Sequence, residues 1–135
     1  MERRFINPLE LSVPTNYSHV AVASAGRTVY VSGQIALDST GRVVGAGDLR
    51  AQAVQAYENL KAALAAADAS FADVIKLTTY VVGLTPERAQ VVRDVRGGYL
   101  PHGHKPASTM VGVASLVDPD LLIEVEAIAV LADRR

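Results

Sequence analysis

Two carboxylates lie in an otherwise apolar run near the C-terminal end of the sequence. Glu124 and Glu126 are two residues apart within the run that begins at Ile123. Side chains alternate along an extended strand, so both carboxylates leave one face and Ile123 and Val125 leave the other. Acidic side chains are rarely buried without a partner. The pattern therefore predicts a strand whose polar face borders a cleft, a subunit boundary or solvent.

Glu124 is the candidate catalytic residue of this strand. A desolvated carboxylate that titrates near neutral pH can act as a general acid or base toward a bound molecule. The alternative is a structural carboxylate held by backbone N–H groups or by an arginine across an interface. Glu126 points the same way, and we interpret it as structural.

A second polar group lies in the segment that runs from Lys105 to Val113. The segment reads as a loop that enters a strand, and Ser108 and Thr109 stand at the entry. Their small hydroxyl side chains are typical of a pocket wall, although the same pair can simply begin a strand. The nearby histidines, His102 and His104, supply only two ligands in a Gly/Pro loop, which is too few to predict a metal site.

Composition limits the classes of partner. A chain of 135 residues fits one domain, here residues 1–135, and its net charge of −1 gives no reason to expect nucleic acid or an anionic membrane. Cysteine is absent, which excludes disulfides and thiolate ligands. The glycines at 41, 45 and 47 precede no Lys-Ser/Thr pair, so no nucleotide cofactor is expected. The N-terminus lacks the apolar core of a signal peptide, and we expect a cytoplasmic protein.

Half of the residues are hydrophobic, which is a large share for a domain of this size. Such a domain leaves roughly 30% of its unfolded-chain surface exposed. We therefore expect part of that surface to be covered by further copies of the chain, in closed symmetry. The alternative is a composition that is merely rich in alanine and valine.

The order of predicted elements defines an α+β fold. Apolar and β-branched runs predict a hairpin of residues 20–23 and 28–32. Asp48 caps a helix whose apolar stripe runs from Leu49 to Ala67, and Thr85-Pro86 opens a second helix through about Tyr99. Further strands are predicted over residues 73–82, 108–114 and 122–131. Two helices would then cover one face of a mixed sheet.

With these segments in place, the sequence resembles the RidA/YjgF family of reactive-intermediate deaminases. The resemblance extends from about Pro14 to Val130 and depends on the order and spacing of several short motifs rather than on one of them. They are Asn16-Tyr17-Ser18-His19, Val31-Ser-Gly-Gln-Ile35, Asn59-Leu-Lys, Asp73-Val-Ile-Lys-Leu-Thr-Thr-Tyr-Val, Pro106-Ala107 and Ile123-Glu-Val-Glu-Ala-Ile-Ala.

The resemblance implies a chorismate-mutase-like fold, in which a six-stranded mixed sheet packs two helices on one face. It also implies a homotrimer whose sheets close around a central barrel, with a small-molecule site in each of the three clefts between subunits. Typical members hydrolyse imines and enamines derived from amino acids, and release ammonia and a 2-keto acid without metal or organic cofactor.

Site residues follow from the resemblance one at a time. Tyr17 matches the site tyrosine, Ser32 and Gly33 match the site strand, and Glu124 matches the acid that activates water. Typical deaminases carry a substrate-clamping arginine directly after Pro-Ala, and this position is Ser108 here. The residue two further on, often a cysteine, is Met110.

The absence of that arginine affects which ligands the site can bind. A bidentate arginine gives a carboxylate two charged hydrogen bonds, whereas a serine hydroxyl replaces one of them and none of the charge. Either Lys105 or His104 turns a charge into the cleft, or the ligand lacks a carboxylate and is held by Ser108 and Thr109. The sequence favours the second alternative. We expect a hydrolase of small imines, enamines or related C=N compounds, or else a noncatalytic trimer that binds a small metabolite.

Overall fold

The structure is a computed structural model that describes residues 1–133, and within them it has six strands, two α-helices and a short 3-10 helix (Phe71–Asp73). The α+β class with two helices and a mixed sheet is confirmed. The elements in chain order are β1 (Glu2–Ile6), β2 (Val20–Ser24), β3 (Arg27–Ile35), α1 (Leu49–Ala66), β4 (Val74–Val82), α2 (Pro86–Gly97), β5 (Ala107–Val113) and β6 (Ile123–Leu131).

The main sheet has four strands in the order β3-β6-β4-β5. β6 is antiparallel to both of its neighbours, whereas β4 and β5 run parallel and are joined by α2. A parallel pair needs such a crossover, because a tight turn can only reverse the chain. β3 and β5 are therefore the two edge strands of this sheet.

The remaining two strands form a separate sheet. β2 pairs with β1, and β3 pairs with β6, so the hairpin expected from residues 20–23 and 28–32 is wrong. The six expected strands are thus divided between sheets of four and two. When β3 pairs with β6, Val31 lies in the hydrophobic core. A local hairpin between β2 and β3 does not by itself provide this burial, so tertiary packing decides the pairing.

Helix α1 begins at the expected cap and packs on the main sheet. The Asp48 carboxylate accepts a hydrogen bond from the backbone N–H of Ala51 at 3.0 Å. The apolar stripe from Leu49 to Leu64 is buried against the sheet, as its spacing predicts. Gln52 and Tyr57 lie on the same buried face, although neither belongs to the predicted stripe.

Helix α2 opens at Thr85, whose hydroxyl accepts from the backbone N–H of Arg88 at 3.1 Å, with Pro86 in the first turn. It ends at Gly97, two residues before the predicted end, because two consecutive glycines weaken the last turn. Its buried face contains Val92, Val95 and, in the last turn, Arg96.

Buried and half-buried side chains alternate along β6, as the sequence predicts. Ile123, Val125 and Ala127 are buried beneath the helices, whereas Glu124 and Glu126 are half-buried on the opposite face of the sheet. Of the two α-helices in the described part of the chain, neither has the length and apolar character needed to cross a membrane.

Candidate functional site

A cavity of about 500 Å³ lies between α2, the edge strand β5 and the loop that precedes β2. Three of its lining residues, Tyr17, Ser108 and Met110, are among those predicted from the sequence. The complete lining is Val13, Thr15, Asn16, Tyr17, Gln90, Arg93, Arg96, Ser108 and Met110. The cavity thus collects residues from three separate elements.

The alternation of β5 separates Ser108 from Thr109. Ser108 pairs in register with the buried residue Leu77 of β4, so it faces the helical side of the sheet. Thr109 faces the other side, where its hydroxyl accepts a hydrogen bond from Lys76 Nζ at 2.7 Å. The two hydroxyls therefore cannot contact one ligand within the same protomer.

An arginine of α2 lies beside Ser108, the position on β5 where typical deaminases carry an arginine of their own. Arg96 is only 4% exposed, and its Nη1 donates a hydrogen bond to Ser108 Oγ at 3.2 Å. Burial lowers the pKa of Arg96 from its ordinary value, Tyr57 opposes this change, and the charge of Arg93 adds to it. A guanidinium stays protonated under such conditions. The cavity therefore contains a buried cation beside Ser108.

The two residues that offered an alternative source of charge, Lys105 and His104, lie elsewhere. Lys105 Nζ donates to the carbonyl of Pro101 at 2.5 Å, and the ring of His104 stacks on Phe5 with centroids 4.3 Å apart. Neither residue lines the cavity. The positive charge comes from the helix and not from the loop before β5.

Tyr17 is held at the cavity by its neighbours in the chain. Ser18 is buried, its hydroxyl donates to the carbonyl of Lys105 at 2.6 Å, and its backbone N–H donates to that of Pro106 at 3.0 Å. The Tyr17 ring meets His19 edge to face at 5.3 Å. These contacts fix the loop to the start of β5, next to Ser108.

Glu124 and Gly33 form a second group on the other face of the main sheet. A methyl group built on Gly33 would overlap the Glu124 carboxylate, so the side chain of this acid lies directly over the glycine. Neither residue lines the cavity of about 500 Å³. Gly33 thus has a specific role, which is to leave space for the acid.

Ser32 and Glu126 line a smaller groove of about 360 Å³ on this same face, together with Tyr30 and Lys76. The Tyr80 hydroxyl donates to Glu126 Oε1 at 2.5 Å. This hydrogen bond, followed by desolvation, raises the pKa of Tyr80. The contact gives Glu126 a structural partner.

One protomer does not bring all of the predicted site residues together. Ser108 and Met110 are on the edge strand β5, whereas Ser32 and Gly33 are on β3 at the opposite edge of the sheet. Glu124 is on β6, which is adjacent to β3. A site that contains both groups therefore requires a second copy of the chain.

Six residues of the cavity were not predicted as site residues from the sequence, namely Val13, Thr15, Asn16, Gln90, Arg93 and Arg96. A signal for Arg96 does exist. Arg96 follows Val92 by four residues and so lies on the apolar stripe of α2. Arginine is rarely buried without a partner, so a charged residue at this position indicates a functional role.

Comparison with known proteins agrees with this fold. Residues 9–131 match the family described as Endoribonuclease L-PSP. A 2-iminobutanoate/2-iminopropanoate deaminase of Salmonella typhimurium is 40% identical over 114 residues, which are 83% of this chain and 86% of that protein. A RutC family protein of Pyrococcus horikoshii is 41% identical over 106 residues, 78% of this chain and 80% of that protein.

Solved structures give the same result. The crystal structure of a Rid family protein of unknown function from Yersinia pestis superimposes with a TM-score of 0.82 at 39% identity, and the match covers 97% of this chain and 100% of that chain. The class defined here is a small α+β protein with a cavity at the edge of its sheet. The chain belongs to the RidA/YjgF family, as its motifs indicate.

Proposed function

We propose that this chain is a RidA-like hydrolase of small imines or enamines that carry a carboxylate, and that it acts in clefts between copies of itself. The observation that carries the proposal is the Arg96 guanidinium beside Ser108 in the cavity that Tyr17 also lines. The sequence favoured a ligand without a carboxylate because Ser108 replaces an arginine. A buried cation at the same place removes that argument.

Arg96 would bind the substrate carboxylate, with Ser108 as the residue that orients it. One guanidinium N–H is already directed at the serine hydroxyl, which leaves others for a ligand. A hydrogen bond to a charged group contributes about 1.5–3 kcal/mol. The Tyr17 hydroxyl, at the same cavity, would hold the opposite end of the substrate.

Glu124 of a neighbouring copy would activate water. Its carboxylate takes a proton from the water as the water oxygen attacks the carbon of the C=N bond, and the nitrogen takes up a proton. Glu124 then returns its proton to the amine nitrogen of the tetrahedral intermediate, and ammonia leaves as the hydroxyl proton is released to solvent and the C=O bond forms. Imine and water thus give keto acid and ammonia, with no change of oxidation state.

A neighbouring copy is needed because of the order of strands in the main sheet. β5 and β3 are opposite edges of the main sheet, so the cavity of one protomer and the Gly33–Glu124 group of the same protomer are separated. In a closed ring, the β5 edge of one copy faces the β3 edge of the next. Three copies would complete three equivalent clefts.

The test is hydrolysis of an imine made in situ from alanine by an amino-acid oxidase, with ammonia release measured above the uncatalysed rate. We expect Arg96→Gln to lower kcat/KM by about 10²-fold, because it removes a charged contact to the substrate. Arg50→Gln is the matched control, since Arg50 is exposed on α1 and pairs with Asp94 at 3.6 Å. A wild-type rate equal to background would overturn the proposal.

A noncatalytic metabolite-binding trimer is the second candidate, and one observation favours it. No acidic residue of the described chain lines the cavity of about 500 Å³, so this cavity alone can bind an anion but contains no base. Glu124→Gln separates the two candidates. It should abolish turnover and preserve binding in a hydrolase, whereas a binding protein would show no turnover before the substitution.

A further inference from the structure

The cavity contains two arginines and no acid to neutralise them. Arg93 and Arg96 are three residues apart on α2, which places them on neighbouring positions of one helix surface, and both line the cavity. Across residues 1–133 neither forms an ion pair with a carboxylate. Neither guanidinium is therefore paired with a carboxylate in the described part of the chain.

Two guanidinium groups at one cavity repel each other, and the effect is stronger where water is excluded. The charge of Arg93 contributes to the lowered pKa of Arg96, after burial. A ligand with one carboxylate would compensate Arg96 and leave Arg93 without a counter-charge. A ligand with two would satisfy both.

We propose that the substrate is a dianion, namely the imine of an amino dicarboxylic acid, whose first carboxylate binds Arg96 and whose second binds Arg93. The inference rests on the proposed function, since it names the substrate class of that site. A cavity of about 500 Å³ has room for a four- or five-carbon diacid. The amide of Asn16 also lines it and can donate to a carboxylate oxygen, whereas the Gln90 Nε2 already donates to Asp94 Oδ1 at 2.8 Å.

Aspartate and asparagine give a matched pair of substrates, because their imines are nearly isosteric and differ by one negative charge. Each imine is made in situ by an oxidase, and ammonia release is corrected for the uncatalysed rate. We expect kcat/KM to be at least about 10-fold higher for the aspartate-derived imine, which corresponds to one charged contact. Arg93→Gln should reduce this ratio to about one, and the control Arg50→Gln should leave it unchanged.

The outcomes distinguish the inference from the proposed function. Hydrolysis of the alanine-derived and asparagine-derived imines without a preference for the aspartate-derived one would overturn the dianion and leave the hydrolase intact. An unchanged ratio in Arg93→Gln would also overturn it, provided that circular dichroism shows the variant folded.

Binding provides a readout that does not depend on turnover. Calorimetry with succinate and with propionate should show tighter binding of succinate by at least about 10-fold, and Arg93→Gln should remove the difference. This result would support the dianion site even if no imine were hydrolysed. Equal affinities, or tighter binding of inorganic phosphate than of succinate, would overturn the inference.

Discussion

The hydroxyl of Tyr57 lies in the core without a hydrogen-bond partner among residues 1–133. The ring itself is well packed and stacks on Tyr99 with centroids 5.2 Å apart. A buried donor that lacks a partner costs about 1–3 kcal/mol. Tyr57→Phe should therefore raise the free energy of unfolding by about 1 kcal/mol, as measured by urea denaturation at neutral pH. The matched control is Tyr99→Phe, which should have the opposite sign because the Tyr99 hydroxyl donates to Glu58 at 2.7 Å.

Tyr57→Phe should also change how the stability of the protein depends on pH. Burial raises the pKa of Tyr57 well above its ordinary value, and burial followed by the Glu58 contact raises that of Tyr99 to about 12. The unfolded chain loses tyrosine protons near pH 10 while the folded chain keeps them, so stability falls as pH rises from about 10 toward 12. Tyr57→Phe should make this fall less steep. An equally steep fall in the variant would contradict the account.

Gly33 is the residue whose replacement should most directly disturb Glu124. A methyl group at Gly33 would displace the acid's carboxylate. Gly33→Ala should therefore lower imine hydrolysis by about 10²-fold, comparable to loss of a general base, while the protein remains folded. Gly103→Ala is the control, since a methyl group there would enter open space. Activity equal to wild type in Gly33→Ala would contradict a catalytic role for the Glu124 carboxylate in the position that it occupies over Gly33.

At the scale of elements, Gln52 joins α1 to the loop that follows β3 and to the loop that precedes β6. Its Nε2 donates to the carbonyls of Gly45 at 3.1 Å and Asp120 at 2.8 Å, and its Oε1 accepts from the backbone N–H of Leu122 at 2.8 Å. Gln52→Leu keeps the volume and leaves these backbone groups unpaired. We expect a loss of about 3 kcal/mol in urea denaturation.

The control for Gln52 is Gln55→Leu, one turn further along α1. Gln55 makes a single side-chain contact, from its Nε2 to Asn59 Oδ1 at 2.9 Å. This substitution should cost less than about 1 kcal/mol. A similar loss in the two variants would mean that the position on the helix, and not the bridging amide, determines stability.

The elements with strong periodicity were predictable from the sequence. The stripe of α1, its cap at Asp48 and the alternation of β6 are local patterns, and the structure confirms each of them. Strand partners were not predictable in the same way. The choice between β1 and β3 as the partner of β2 depends on which side chains are buried elsewhere, and this is a property of the whole fold.

Local sequence likewise does not predict that a cation lies beside Ser108. Ser108 was correctly placed on a strand, but the sequence around it contains no sign that Arg96, twelve residues earlier, supplies a charge there. Only the packing of α2 against β5 brings the two side chains together. Tyr17, Ser108 and Met110 were predictable through motifs, whereas the arginines of the cavity depend on tertiary structure.

At the scale of the whole molecule, the division of site residues between two sheet edges predicts complementation between inactive variants. Arg96→Gln and Glu124→Gln should each lose activity when purified alone. After the two are unfolded and refolded together in equal amounts, roughly a quarter of the clefts in a cyclic trimer would combine an intact Arg96 with an intact Glu124 of its neighbour. Ammonia release should recover to about that fraction of wild type.

Two different affinity tags on the variants would verify that mixed trimers form. No recovery of activity in trimers that carry both tags would place Arg96 and Glu124 in one protomer's site, or remove one of them from the chemistry. Light scattering that gave the mass of a single chain would exclude a shared cleft.

The last turn of α2 has a further consequence for how the cavity treats an anion. Arg96 is the basic residue of that turn, where the unpaired carbonyls of a helix carry a partial negative charge. The guanidinium is thus attracted to its own helix as well as to any carboxylate that enters. This competition weakens the hold on a bound acid, so a keto acid formed by the proposed hydrolysis should dissociate quickly.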